Sequence, residues 1–290
     1  MHIKKLISQT SELPTLPMVA ARINQEMQSE ALTAKLLGEI IAEDTALASK
    51  VLRLANSAYY GLPKQVTTLN KAVMILGFNT VKNLALSVSI HTLFQKPPDS
   101  PIDLQGLWLH SLGCAAAAKI LIEQVKPKLG DDAFLFGILH DIGKIVIINE
   151  APQDYEKILH LMHEENVPQN DAEMQVIDTT HQKLGALLLD HWKFPDSIVA
   201  AVKYHHDADL SGKKLEPDLK DLVYALFLGN QIVRVLSLGK SSSPKRTEIP
   251  MIIWESLNIK REQLKPIAAT IAAQYALLLK AWDMELASHE

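Results

Sequence analysis

Apolar residues recur at helical spacing along nearly the whole chain and strand-like alternation is scarce, so the core has to be assembled from helices packed side against side. The segment from Asp44 to Tyr60 shows the pattern. Asp44 is placed to cap a first turn, Leu47, Val51, Leu54 and Ala55 fall on one face, and Gly61 followed by Pro63 offers a stop. A second helix is expected after Thr68, with Ala72, Val73 and Leu76 inward and its end at Gly77. Asn79 is expected to cap a third, which carries Val81, Leu84, Ala85, Val88 and Leu93. Short helices with short connections are the grammar of a bundle.

Lys96–Pro101 holds three prolines and reads as a linker, because proline fixes φ and removes a donor. Beyond it a long helix is expected from about Asp103 to Val125, and another helical region over Asp132–Glu150. A last helix is expected from about Arg261 to Met284, with Ile267, Ile271, Tyr275, Leu278 and Trp282 on its apolar face. Lys240–Lys245 reads as a polar loop. The expected fold class is all-α, with two packed helical units: an N-terminal bundle over residues 1–95 and a C-terminal helical domain over 103–290.

With 290 residues the chain is long enough to bury a core in each unit. Its net charge of −4 argues against a protein devoted to neutralising nucleic-acid phosphates. A helix-turn-helix reading of the short helices near Leu69–Ser87 is left open. Met1–Thr10 has no continuous apolar run, so no signal peptide is expected, and no segment approaches the roughly eighteen apolar residues of a membrane span. A cytoplasmic protein with no membrane partner is expected. The one cysteine, Cys114, lies in an apolar run and reads as a small buried hydrophobe in preference to a reactive thiol.

The chemistry is expected from the histidines, of which there are eleven. His91, His160, His163 and His289 read as ordinary surface or core residues. His110, the His140–Asp141 pair, His181 and the His205–His206 pair differ. They follow in order, each on or beside a helix whose apolar neighbours turn it inward. Imidazole and carboxylate are donors for divalent transition metals. Asp141 is able to bridge two ions, and such a pair lowers the pKa of a shared water and clamps a phosphoryl group. Lys144, one short turn on, is placed to neutralise a phosphate oxygen. A lone His-Asp dipeptide carries little weight, but Gly137, Gly143 and Lys144 around it make a stronger motif.

In the order of these histidines the second half resembles the HD superfamily of metal-dependent phosphohydrolases, and its HD-GYP branch in particular. The resemblance implies that His110, His140, Asp141, His181, His205 and His206 are metal ligands, with Asp141 and Lys144 the residues of any catalysis. Asn230 stands where that branch has its last aspartate ligand, and Asp-Ala-Asp-Leu-Ser-Gly follows the double histidine where a GYP signature is expected. An amide oxygen is a neutral, weaker ligand.

The first half resembles the HDOD family. The matching segments are Leu-Pro-Thr-Leu-Pro at 13–17, Ile-Ile-Ala-Glu-Asp at 40–44, Leu-Arg-Leu-Ala-Asn-Ser-Ala-Tyr-Tyr-Gly at 52–61 and Ala-Val-Met-Ile-Leu-Gly at 72–77. Together with the His-Asp motif the likeness covers roughly 11–210, and it makes the C-terminal unit an HD-like domain with a helical extension. Thr45 replaces a customary proline. The resemblance implies a bacterial signal-transduction regulator or scaffold, non-catalytic and working with protein partners. It also implies a divalent transition metal, iron or manganese before zinc, as one ion or two. No companion signalling domain is read in the sequence, so partners are expected in trans. The alternative is a metal-dependent phosphohydrolase acting on a nucleotide or cyclic dinucleotide. Asn56, Ser57, Tyr59 and Tyr60 read as capping and packing residues, not as ligands.

Overall fold

A computed structural model describes residues 13–29, 31–95, 102–240 and 248–284. Within these, fifteen α-helices and no strand are found. The Lys96–Pro101 linker, most of the Lys240–Lys245 loop, Met1–Thr10 and His289 lie outside the described residues.

The N-terminal helices are α1 (Met18–Gln28), α2 (Ala34–Ala42), α3 (Thr45–Ala55), α4 (Leu69–Leu76) and α5 (Phe78–His91). Asp44 caps α3 by accepting from Leu47 N–H at 2.9 Å, and Leu47, Val51, Leu54 and Ala55 are its four buried residues. The helix stops at Ala55, earlier than the expected Gly61. There the Asn56 side chain donates to Leu52 O and Val66 O and accepts from Val66 N–H, closing the following loop. Thr68 caps α4 and Gly77, at φ 93°, ends it. Asn79 does not cap α5: the helix begins at Phe78 directly after Gly77 and has no side-chain cap. Residues Thr80–Ile90 of α5 are all buried. No face of that helix is free to enter a groove of DNA, which closes the helix-turn-helix reading.

The centre of the molecule is α6 (Leu104–Glu123), capped by Asp103 and buried on every side. Around it pack α7 (Gly130–Leu139), α13 (Pro217–Val235) and α15 (Leu264–Ala281). The expected single helical region over Asp132–Glu150 is two helices, α7 and α8 (Ile142–Glu150), broken at His140 and Asp141. Next come α9 (Pro152–His163), α10 (Gln169–Ile177), α11 (His181–His191) and α12 (Asp196–Tyr204), with α11 packed on both α8 and α12. The short α14 (Met251–Ser256) leads to α15.

Two glycines set how closely these helices approach. A Cβ on Gly137 would lie 2.3 Å from Ala115 Cα, and one on Gly143 would lie 1.9 Å from His181 O. Only a hydrogen at each position lets α7 touch α6 and α8 touch α11. The apolar core is one continuous cluster from Leu13 to Trp282. At the end of α15, Trp282 meets Trp108 of α6 and His91 of α5, with ring centroids 5.0 and 5.3 Å away. His91 is thus a packing residue, and His160 and His163 are exposed on α9.

Candidate metal centre

Most of the candidate residues stand at helix ends, where chain direction changes and side chains from several elements can meet. His140 is the last-turn cap of α7, Asp141 precedes α8, His181 opens α11 behind its cap Thr180, and His205 closes α12. His110, Lys144 and Asn230 sit inside helices, in α6, α8 and α13. The structure brings His110, His140, Lys144, His181, His205 and His206 together around Asp141. His110, His140, Asp141, Lys144, His181 and His205 are each at most 1% exposed, while His206 is partly exposed.

The Asp141 carboxylate has two sides. Oδ1 faces His181 Nε2 at 3.4 Å and His205 Nε2 at 3.8 Å. These two ring nitrogens are 3.3 Å apart, and with His206 the four residues can direct one donor atom each to a common point. Oδ2 faces Lys144 Nζ at 2.7 Å, His140 Nε2 at 3.3 Å and His110 Nε2 at 3.9 Å.

Hydrogen bonds on the far side of the rings fix which nitrogen faces inward. His205 Nδ1–H donates to Val202 O at 2.7 Å, and His140 Nδ1–H donates to Gly137 O at 2.8 Å. His181 Nδ1–H donates to the Glu173 carboxylate at 2.8 Å, while the other Glu173 oxygen accepts from His181 N–H, also at 2.8 Å. Gln169 Nε2–H donates to Glu173 Oε1 at 2.8 Å and steadies it. Thus His181 and His205 both turn an Nε2 lone pair toward a carboxylate oxygen, the tautomer that second-sphere carboxylate and carbonyl partners impose on metal-binding histidines.

The charges follow from burial and neighbours. Burial alone would raise the Asp141 carboxyl, but His140 and Lys144 hold it well below the usual carboxylate range. Burial likewise opposes charge on Lys144 and His140. Asp141 overcomes it in both, raising Lys144 and, with help from Cys114, raising His140 to about 10. His110 is pushed down by burial to about 3, and burial also holds His205 and His206 well below the usual imidazole value. Glu173 resists the upward push of burial and is lowered by His181.

These residues fit a divalent transition metal. Asp141 Oδ1 and His140 Nε2 are buried with no hydrogen-bond partner, an arrangement that is costly unless a cation engages the atoms. Donors of a tetrahedral ion with bonds of about 2.0–2.3 Å lie roughly 3.3–3.8 Å apart, which is the spacing on the Oδ1 side. Asn230, on α13, is buried with its Oδ1 unpartnered. One turn beyond it, the positive charge of Arg234 acts on Asp141 and His110. Lys144, expected at a substrate phosphate, donates from its ammonium to Asp141 Oδ2 at 2.7 Å.

Two residues of the cluster escaped the sequence reading. Glu173 orients His181 from a separate helix, and no local motif marks it. Cys114 lies one turn after His110, with Sγ 3.4 Å from His110 Nε2, and forms a second potential metal-binding group with His110 and His140. The i, i+4 spacing of His110 and Cys114 was the available signal.

Fold and site together define an all-helical domain built around a buried His-Asp pair. The chain belongs to the HDOD domain family, whose model matches residues 13–208. It is 24% identical over 266 residues to an uncharacterized protein of Treponema pallidum (strain Nichols), covering 91% of this chain. The chain spans 50% of the length of that curated relative. A solved HDOD domain protein of unknown function from Geobacter sulfurreducens superposes with a TM-score of 0.80 at 21% identity, covering 96% of this chain and 97% of the other. A Shewanella amazonensis SB2B protein named as a candidate phosphohydrolase superposes with a TM-score of 0.73 at 26% identity, covering 97% of each.

Proposed function

We propose that this chain is a signalling regulator or scaffold that holds a divalent transition metal, iron or manganese before zinc, around Asp141, His181, His205 and His206, and does not hydrolyse a phosphate ester. The observation that carries this reading is the enclosure of the site. Six of its seven histidine, aspartate and lysine residues are at most 1% exposed. The cation a substrate phosphate would need, Lys144, is spent on Asp141 at 2.7 Å. Metal-assisted hydrolysis requires an open coordination position and room for the substrate. A closed His/Asp set is the arrangement of an ion that stiffens a fold. The helical exterior would serve protein partners, for which grooves between helices are the usual docking places.

The test has two arms. Elemental analysis of tag-free protein grown in iron- and manganese-replete medium should find metal retained by the wild type and lost in Asp141→Ala. Incubation with cyclic dinucleotides and nucleotides, with manganese or iron supplied, should give no turnover. Reproducible hydrolysis abolished by Asp141→Ala would overturn the non-catalytic reading. Phosphohydrolysis of a nucleotide or cyclic dinucleotide is the second reading, favoured by the partly exposed His206 and by the candidate phosphohydrolase name of the Shewanella protein.

A further inference from the structure

We propose that Cys114 is the anionic donor of a second cation position, formed with His110 and His140 on the Oδ2 side of Asp141, and that it makes this position selective for a thiophilic divalent ion such as zinc, iron(II) or cobalt(II). The inference rests on the metal-holding reading above and extends it to residues that reading leaves unused.

Three observations support it. The first is spacing. Cys114 Sγ is 3.4 Å from His110 Nε2, His140 Nε2 is 3.3 Å from Asp141 Oδ2, and His110 Nε2 is 3.9 Å from the same oxygen. Donor atoms around one tetrahedral ion, with metal–nitrogen bonds of about 2.0 Å and metal–sulfur bonds of about 2.3 Å, are separated by roughly these distances. The second is an unmet need: His140 Nε2 is fully buried, belongs to this group of donors, and makes no hydrogen bond.

The third is charge. Asp141 is already matched by the buried Lys144 ammonium. Two neutral imidazoles would leave a dication beside that ammonium without a compensating anion, which a buried site does not tolerate. A thiolate supplies one of the missing negative charges. On binding, Cys114 releases its proton to solvent and its sulfur lone pair forms the bond to the metal; His140 likewise gives up any proton on Nε2. Thiolate is a soft ligand, poorly suited to magnesium or calcium and well suited to zinc and iron.

Cobalt(II) alone is the probe, added to the full chain after chelator treatment and removal of any tag. The sequence has a single cysteine, so a sulfur-to-cobalt charge-transfer band in the near ultraviolet has only one origin. The expected result is that band in the wild type, its complete loss in Cys114→Ser and Cys114→Ala, and a fall in bound cobalt from two ions per chain to one. Cobalt bound without the band overturns the role of Cys114 and leaves the first metal position standing; no cobalt bound overturns both. Should the variants not fold, X-ray absorption of the zinc-loaded wild type decides. A zinc–sulfur shell at about 2.3 Å is expected, and nitrogen and oxygen shells alone overturn the proposal.

Discussion

Asp141 was legible as a candidate because His-Asp sits in a motif with two glycines and a lysine, but the residues that orient the site were not. Glu173 reaches His181 with both oxygens, one on the ring and one on the backbone. It does so from α10, eight positions earlier, where nothing in the local pattern distinguishes it from a surface glutamate. Glu173→Gln keeps the shape and removes the charge that fixes the His181 tautomer. Equilibrium dialysis should show metal retention weakened about 10–100-fold, the usual effect of losing such a partner; unchanged retention would show that Glu173 serves packing only. His91 illustrates the reverse case, a histidine correctly set aside. Burial among Trp108 and Trp282, with Lys50 beside it, lowers its pKa to about 4. Between the ordinary imidazole value near 6.5 and about 4, the unfolded chain binds a proton that the folded chain refuses, so this residue removes stability as pH falls through that window. Urea unfolding at pH 7 and pH 5 should therefore show a smaller acid loss in His91→Gln than in the wild type.

Among the elements, the periodicity identified most helices and misjudged their ends. Asp44 and Thr68 cap where expected because an acceptor side chain before an apolar face is a local signal. The end of α3 was misplaced because its stop is a tertiary bond, from Asn56 to Val66, invisible to spacing. The break between α7 and α8 was missed for a related reason. Both halves are apolar all round, so their periodicity runs on, and only the packing of Gly143 onto α11 shows that the axis turns at the dyad. Gly143→Ala should be severe, since its Cβ would meet a backbone carbonyl that cannot rotate away. About 3 kcal/mol or more of destabilisation is expected in urea titrations, at the upper end of overpacking effects. Gly212→Ala, where nothing lies within 4 Å, is the matched control and should stay within about 0.5 kcal/mol.

For the whole molecule, the all-helical class was plain in the sequence, whereas the relation between its two parts was not. We propose that 1–95 and 103–290 are units of packing and not of folding. The apolar cluster is continuous from Leu13 to Trp282, and α15 closes on the N-terminal helices through Trp282 and the Arg53–Asp283 ion pair. Calorimetry should then give one transition with matching calorimetric and van't Hoff enthalpies, and two resolved transitions would separate the units. The described helices include none long and apolar enough to cross a membrane.

The meeting of helix ends at Asp141 has a mechanical meaning. One carboxylate stands where α6, α7, α8, α11 and α12 converge, so ions in the two proposed positions would together fasten five helices around a single node. Withdrawing them would slacken all five, and a partner resting on any one of these helices would sense whether the fasteners are in place.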